Sequence, residues 1–272
     1  MTIIAGQGDA TVSMTLLWAG QAEETPRRAP GPRPALSLDA VVAAGIAVAD
    51  AETLAGLSMR TVAERLGRTS MALYTYVPGK AELLDLMYDR AHAELSPEPE
   101  PEPEPEQGQG GPGGEWRAAV TSWATGLRAF CLRHPWVLQI SYARPVLGPH
   151  EQAVLESLAR ILYGAGLPPR TLRPVVASLF DFVRGSARTA ADARLAATAT
   201  GVSDEEWWAG RAALLARVAP DFAERFPYSV RLAGEDATAG ASWERRLDDA
   251  FTIGLDVLLD GIEAARTAPE GG

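Results

Sequence analysis

The chain has 272 residues and a formal net charge of −10 at pH 7. Its hydrophobic fraction of 47% excludes wholesale disorder, and its length favours a small domain beside a larger one. Its single cysteine, Cys131, excludes an intrachain disulfide and a thiolate-rich metal site. No apolar run approaches the length of about 18 residues that a membrane span requires, and the start of the chain lacks the basic residues of a signal peptide. The sequence therefore predicts a cytoplasmic protein without a membrane partner.

Residues 1–37 become rich in proline and arginine towards their end (PRRAPGPRP). From this mixed composition with a Pro/Arg-rich end, we expect a disordered arm. Two roles stay open for such an arm, a plain N-terminal extension or a segment that contacts a nucleic acid.

Four short helices are predicted between the arm and a low-complexity segment. We expect them over residues 36–52, 58–67, 69–76 and 80–95. Ser37 and Ser58 are plausible N-caps of the first two helices, and Gly67 is suited to end the second. Pro78 and Gly79 break the chain before the fourth helix, which has one apolar stripe.

Residues 96–114, SPEPEPEPEPEQGQGGPGG, form the low-complexity segment. Alternating proline and glutamate favour extended polyproline II, so we expect a linker or a loop that bulges from the body. Residues 115–266 are predicted to be helical throughout. Two of these helices, over 172–185 and 243–263, have apolar faces that predict a four-helix dimer interface with their symmetry mates.

Residues 58–77, SMRTVAERLGRTSMALYTYV, meet the requirements of a helix-turn-helix, whose second helix lies in the major groove of DNA. Gly67 permits the turn, while Leu73 and Val77 face inward. The exposed side of the second helix is left with small, polar and aromatic side chains that suit contacts with phosphates and base edges.

The charge distribution agrees with this motif although the whole chain is acidic. Residues 58–80 have a formal charge of +3, from four cations against Glu64 alone. Because salt confines electrostatic interactions to about 8 to 10 Å, a locally basic head can bind DNA on an acidic protein.

The segment LSLDAVVAAGIAVADAETLAGLSMRTVAERLGRTSMALYTYVPGKAELLDLMYD resembles the DNA-binding domain of the TetR family. The later motifs LRHPW at 132–136, RPVLGP at 144–149 and FTIGLDVLLDGIE at 251–263 resemble a tetracycline-repressor-like C-terminal domain. The resemblance implies an all-α fold with an N-terminal three-helix head over 38–95, connecting helix included, and a larger ligand-binding and dimerisation body over 115–266.

The resemblance also implies a homodimeric repressor that reads a near-palindromic operator and is released by a small, largely apolar effector. The positions that match DNA contacts of the family, in the second helix, the recognition helix and just after it, are Arg60, Thr69, Ser70, Met71, Tyr74, Thr75, Tyr76 and Lys80. The recognition helix has no arginine or asparagine for bidentate base contacts, so the sequence predicts no particular operator.

Aromatic side chains and one histidine in the body are candidates for lining the effector cavity, since such pockets are apolar with a few placed polar groups. They are Trp123, Phe130, His134, Trp136, Tyr142 and Phe180. Ordinary core packing is the alternative for each of them.

A DNA-binding protein without a ligand, architectural in role, is the main alternative to a ligand-responsive repressor. An enzyme with Cys131 as nucleophile and His134 as base has no oxyanion site or orienting acid in the sequence, so we expect no catalysis. The three histidines lack metal-ligand spacing, and neither a metal nor a cofactor is predicted.

Overall fold

The computed structural model describes residues 3–19, 36–95, 115–141, 143–234 and 242–267. Within these ranges the protein is α-helical, which confirms the predicted fold class. The helices in chain order are α1 Ala10–Trp18, α2 Leu38–Gly56, α3 Met59–Arg65, α4 Ser70–Leu73, α5 Lys80–His92, α6 Glu115–Arg133, α7 Pro149–Gly164, α8 Pro169–Thr200, α9 Asp204–Val218, α10 Phe222–Arg225, α11 Pro227–Gly234 and α12 Trp243–Thr267. None of the helices in the described residues has the length and apolar character needed to cross a membrane.

Local capping explains where the helices of the head begin and end. Ser37 Oγ accepts a hydrogen bond from the Ala40 amide, and Ser58 forms a reciprocal capping box with Thr61, as predicted. Gly67 has a φ of +63°, which few residues other than glycine adopt readily. The third helix is shorter than expected, since only Ser70–Leu73 is α-helical and a turn follows.

The head, α2 to α5, packs around a small set of fully buried aliphatic side chains. They include Val41, Val62, Leu73, Val77 and Leu83. Since each helix of the head contributes to this core, the angle between α3 and α4 is fixed by packing as well as by the turn.

The body is built on α6, α7, α8 and α12. Helix α8 packs along both α6 and α12, and α7 lies against α5, α6 and α8. A short 3-10 helix, Pro135–Gln139, follows α6 and packs against α2 of the head. Helices α9 to α11 have no buried residue and lie on the outside of the chain.

The start of the chain differs from the expected disordered arm. Residues 3–19 include α1 and pack against α5 through buried side chains such as Ser13 and Leu17. The prediction for residues 1–37 is therefore wrong over 3–19, and 20–35 lie outside the described residues. The predicted linker over 96–114 also lies outside them.

Candidate DNA-binding face and effector cavity

The predicted recognition helix presents the expected side chains to solvent. Met71 is 75% exposed and Tyr74 is 45% exposed, and Thr69 and Thr75 are also exposed. Ser70 is half-buried at the first position of α4. The opposite side of the same segment is anchored in the core, so these side chains form one outward face.

Arg60 lies on the adjacent helix α3 and is paired with a neighbour. Its Nε donates to Glu64 Oε1 at 2.7 Å, one helical turn away, and both side chains are largely exposed. An exposed pair of this type contributes little stability, so Arg60 can exchange Glu64 for a DNA phosphate at small cost.

Tyr76 differs from the other candidates of the DNA-binding face. Its hydroxyl donates to the backbone carbonyl oxygen of Leu36 at 3.1 Å. While this bond holds, Tyr76 offers a phosphate no hydrogen and positions the start of α2 instead. Lys80, by contrast, is exposed at the first position of α5, where an ammonium group can reach a phosphate.

Helix α5 connects this face to the body. Every residue from Glu82 to Asp89 is buried, which is unusual for a helix that contains three acids in that range. Asp89 Oδ1 accepts hydrogen bonds from the backbone amides of His150 and Glu151, each at 2.9 Å. Asp89 of the connecting helix therefore caps the N-terminus of α7 in the body.

A cavity of about 240 Å³ lies beside this contact. Its wall includes Tyr88 and His92 of α5, so the connecting helix forms one side of it. The remaining lining residues are Leu127, Pro145, Leu147, Glu151, Gln152, Val154, Leu155, Phe180 and Arg184. The wall is mainly apolar, with a few polar groups, which is the usual composition of a small-molecule pocket.

Two titratable groups in this wall have shifted pKa values because they are buried. Burial raises the pKa of Glu151 to about 7, against the opposing effect of the hydrogen bond from the Leu147 amide. Burial lowers the pKa of His92 to about 4. Both groups are thus largely neutral over a range of pH in which their exposed forms would be charged.

The predicted effector residues fall in different places. Phe180 lines the cavity, and Trp123 packs edge-on against its ring at 4.9 Å while donating to the Val154 carbonyl oxygen. Phe130 and Trp136 are buried in the core and are absent from the cavity wall. Tyr142 lies outside the described residues.

His134 joins the head to the body and takes no part in the cavity wall. Its Nδ1 lies 2.7 Å from Asp50 Oδ1 of α2, and its Nε2 lies 3.1 Å from Glu94 Oε1, just after α5. The Trp136 indole donates to the same Asp50 oxygen at 2.7 Å. The LRHPW motif thus provides a polar junction between the two domains.

Cys131 lacks the properties of a nucleophile. Its side chain is fully buried, and burial raises the pKa of the thiol to about 11. The thiol is therefore protonated at neutral pH and out of reach of a substrate.

The lining residues that the sequence did not suggest include Tyr88, His92, Glu151 and Arg184. They come from three helices far apart in the chain, so no local spacing marks them. Tyr88 belongs to the apolar stripe of the fourth predicted helix, a position that is equally consistent with core packing.

The sequence of the chain is similar to those of known regulator families. Residues 104–266 match the family model described as the tetracyclin repressor-like C-terminal domain. The HTH-type transcriptional repressor DrrR1 of Streptomyces coeruleorubidus is 39% identical over 263 residues, which cover 96% of this chain and 88% of that protein. The chain belongs to the TetR family. It is therefore similar to transcriptional regulators, as the sequence predicted.

Other relatives agree with this TetR-family membership. An HTH-type transcriptional regulator of Saccharopolyspora erythraea is 27% identical over 234 residues, covering 85% of this chain and 86% of that protein. Among solved structures, the TetR family protein ActR of Streptomyces coelicolor in complex with actinorhodin matches with a TM-score of 0.63 and 28% identity, covering 87% of this chain and 99% of that chain. ActR in complex with (S)-DNPA matches with a TM-score of 0.62 and 28% identity, covering 85% and 98%.

Proposed function

We propose that this TetR-family protein is a homodimeric repressor whose operator binding is relieved by a small, largely apolar molecule in the cavity beside α5. One observation supports this proposal above the others. The helix that forms a wall of the cavity through Tyr88 and His92 is the helix that begins at Lys80, directly after the recognition segment. A molecule in the cavity therefore contacts the element that holds the DNA-binding head.

The DNA-binding part of the proposal rests on the exposed face of α3 and α4. Tyr74, Thr75 and Lys80 offer donors for phosphates, and the exposed Met71 side chain suits contact with a thymine methyl group. We propose that Arg60 joins them by leaving Glu64.

The effector part rests on the chemistry of the cavity and on related structures. The volume of about 240 Å³ suits a compact molecule, and an apolar wall with a few polar groups suits a ring system with few substituents. ActR, which is similar along most of the chain, has been solved in complex with actinorhodin and with (S)-DNPA.

Release of DNA requires that the effector bind better to the arrangement that cannot engage the operator. Linkage then makes the effect reciprocal, so bound operator must weaken effector binding by the same factor. The hydrogen bonds of Asp89 to the α7 amides give such a coupling a route, since α7 residues line the cavity and Asp89 lies on α5.

The dimer is proposed to form through α8 and α12. Ile253 and Val257 of α12 are 63% and 66% exposed although they are large and apolar. An apolar cleft runs between the two helices, with Val175 on one side and Leu258 on the other. Packing of these faces against their symmetry mates would cover this surface.

The cavity can be tested by filling it. Leu155→Trp adds a bulky ring to the wall, and Tyr163→Trp on the exposed end of the same helix is the matched control. Each protein is first bound to a fluorescent duplex from the region upstream of its own gene. A panel of two- and three-ring aromatic compounds is then added, and release of the duplex is measured.

We expect at least one compound to release the duplex from the wild type and from Tyr163→Trp but not from Leu155→Trp, which should still bind DNA. Equal release from all three proteins would contradict the assignment of the cavity. Failure of every compound to release the wild type would instead favour a regulator without such an effector.

A further inference from the structure

The segment of residues 3–19, here called the N-terminal strap, is attached to the connecting helix by specific hydrogen bonds. The Gly6 amide donates to Asp85 Oδ1 at 2.9 Å, and the Ser13 hydroxyl donates to Asp85 Oδ2 at 3.0 Å. The Asp9 amide donates to Glu82 Oε1 at 3.0 Å. Both acids lie on α5, one turn apart.

These contacts are buried and closely fitted. Asp85 is 2% exposed and Glu82 is 7% exposed. Burial raises the pKa of the Asp85 carboxyl, and the hydrogen bonds from Gly6 and Ser13 act against that shift by stabilising the charged form. A Cβ atom placed on Gly8 would clash with the Glu82 carboxylate, so a larger side chain there has to push this buried group away from the Asp9 amide.

The other contacts of the strap are with the body. The Ile3 amide donates to the Gln139 carbonyl oxygen at 2.8 Å, and the Ser141 amide donates to the Ile3 carbonyl oxygen at 2.7 Å. At the far end, the Trp18 indole donates to the Leu147 carbonyl oxygen at 3.1 Å. Leu147 belongs to the wall of the cavity.

We propose that the N-terminal strap fastens α5 to the body and thereby pre-organises the head for operator binding. The strap is hydrogen-bonded to Glu82 and Asp85 of α5 and, at both of its ends, to the body. Its undocking therefore removes constraints on the orientation of α5. A head that occupies the binding-competent orientation for a smaller fraction of the time has a proportionally weaker apparent affinity. The inference rests on the proposed binding of operator DNA by the head.

The first test weakens the strap without touching the DNA-binding face. Gly8→Leu places a side chain where Glu82 lies, and Ser13→Ala removes the buried hydroxyl from Asp85. Gln7→Ala and Met14→Ala change exposed positions of the same segment and serve as controls. The readout is the operator dissociation constant, measured by fluorescence anisotropy with the full chain, after circular dichroism has shown unchanged helix content.

We expect Gly8→Leu and Ser13→Ala to weaken operator binding about tenfold, because a lost hydrogen bond to a buried carboxylate favours undocking, and the controls to bind as the wild type does. Unchanged or tighter binding in both strap variants would overturn the proposal while leaving the proposed function intact. A wild type that binds no operator would overturn both.

The second test follows docking directly through a thiol label. The native Cys131 is fully buried, so a cysteine introduced in the strap dominates the reaction with a maleimide dye. Leu17→Cys places the thiol on the buried side of α1, and Met14→Cys places it on the exposed side as a control.

Linkage requires the operator to stabilise the docked strap if the strap favours operator binding. We expect labelling of Leu17→Cys to slow at least about fivefold when the duplex is added, while labelling of Met14→Cys keeps its rate. An operator that leaves the Leu17→Cys rate unchanged, or accelerates it, would show that the strap does not favour the DNA-bound arrangement.

Discussion

At the scale of single residues, the proposed contact of Arg60 with DNA would compete with an ion pair on the surface of the head. In the free protein its Nε donates to Glu64 Oε1 at 2.7 Å. Under this proposal a phosphate has to displace Glu64, and the carboxylate left nearby would repel the DNA backbone. Both effects of Glu64 would lower operator affinity.

This competition predicts opposite effects for the two partners. Arg60→Ala should weaken operator binding by about three- to tenfold and reduce the slope of log affinity against log salt by about one, as expected when one phosphate contact is lost. Glu64→Gln should tighten binding, since it frees Arg60 and removes a negative charge. Anisotropy titrations at several salt concentrations measure both.

Arg170→Ala, an exposed arginine at the start of α8, is the matched control and should bind operator as the wild type does. If Arg60→Ala and Arg170→Ala behave alike, Arg60 is a solvated surface residue without a role on DNA.

Two buried groups near the cavity make opposite contributions to stability with pH. The folded-state pKa of Glu151 is raised to about 7 from 4.5, so its contribution is present below pH 4.5 and is lost as pH rises through 7. The folded-state pKa of His92 is lowered to about 4 from 6.5, so its contribution is present above pH 6.5 and is lost as pH falls through 4. The two trends partly cancel in the wild type.

Glu151→Gln should remove one of these two opposing pH dependences of the free energy of unfolding. The variant lacks the ionisation that disfavours the folded wild type at high pH, so its free energy of unfolding relative to wild type should be greater at pH 8 than at pH 5, by a difference on the order of 2 kcal/mol. Urea denaturation at the two pH values measures this difference. Glu156→Gln, an exposed position of the same helix, should show no such dependence, and an equal response of both variants would contradict the assignment to Glu151.

The sequence could predict which side chains face solvent only where a motif relates the position of a residue to its exposure. The helix-turn-helix pattern indicated that Met71, Tyr74 and Thr75 face outward, and they are exposed. It could not show that the Tyr76 hydroxyl binds the Leu36 carbonyl oxygen, because that contact joins residues 40 positions apart. Composition likewise could not separate Phe130, a core residue, from Phe180.

At the scale of helices, capping residues and apolar spacing predicted most of the head. Serine caps and a glycine stop are local signals, and they predicted the start of α2 and both ends of α3 closely, whereas α2 continues to Gly56, past its predicted end at residue 52. The helix α1 was missed because its stability comes from tertiary hydrogen bonds to buried acids of α5 rather than from its own apolar stripe. Such partners lie about 70 residues away and leave no local pattern.

The exposed apolar face of α12 leads to a prediction about assembly. Ile253→Glu combined with Val257→Glu places two charges in the proposed dimer interface, where they would be buried without partners. We expect the variant to sediment as a monomer at micromolar concentration. We also expect it to bind a full operator far more weakly than the wild-type dimer does, because a monomer contacts only one half-site. Analytical ultracentrifugation measures the first effect directly.

Tyr163→Glu changes an equally exposed large side chain on α7 and should remain dimeric. A double variant of α12 that also remains dimeric would place the dimer interface elsewhere on the surface.

At the scale of the whole molecule, the contacts that join head and body surround the connecting helix. The cavity, the Asp89 cap on α7 and the N-terminal strap all involve α5 itself. The His134 junction holds α2 and the residue Glu94 just beyond α5. A small displacement of α5 therefore has to break or shift several polar contacts together, which favours two discrete arrangements over a continuous one.

The head could be predicted because the helix-turn-helix is a local motif, and the division of the chain into two domains stays a prediction that rests on the change of composition along it. The proposed effector site beside α5 could not be predicted, because its residues come from separate helices and are recognised only by their packing. The net negative charge of the chain, taken alone, argues against DNA binding. Part of that charge, however, lies in buried carboxylates that accept hydrogen bonds from backbone amides, as those of Asp85 and Asp89 do.

The most direct test of the account is a titration of the purified protein against its upstream duplex and a scrambled duplex of equal length at two salt concentrations. We predict tight binding of one dimer to a near-palindrome in the first duplex and binding weaker by at least about a thousandfold to the second. Equal binding to both duplexes, with the same steep dependence on salt, would contradict a specific repressor and would leave a basic head that binds DNA without regard to sequence.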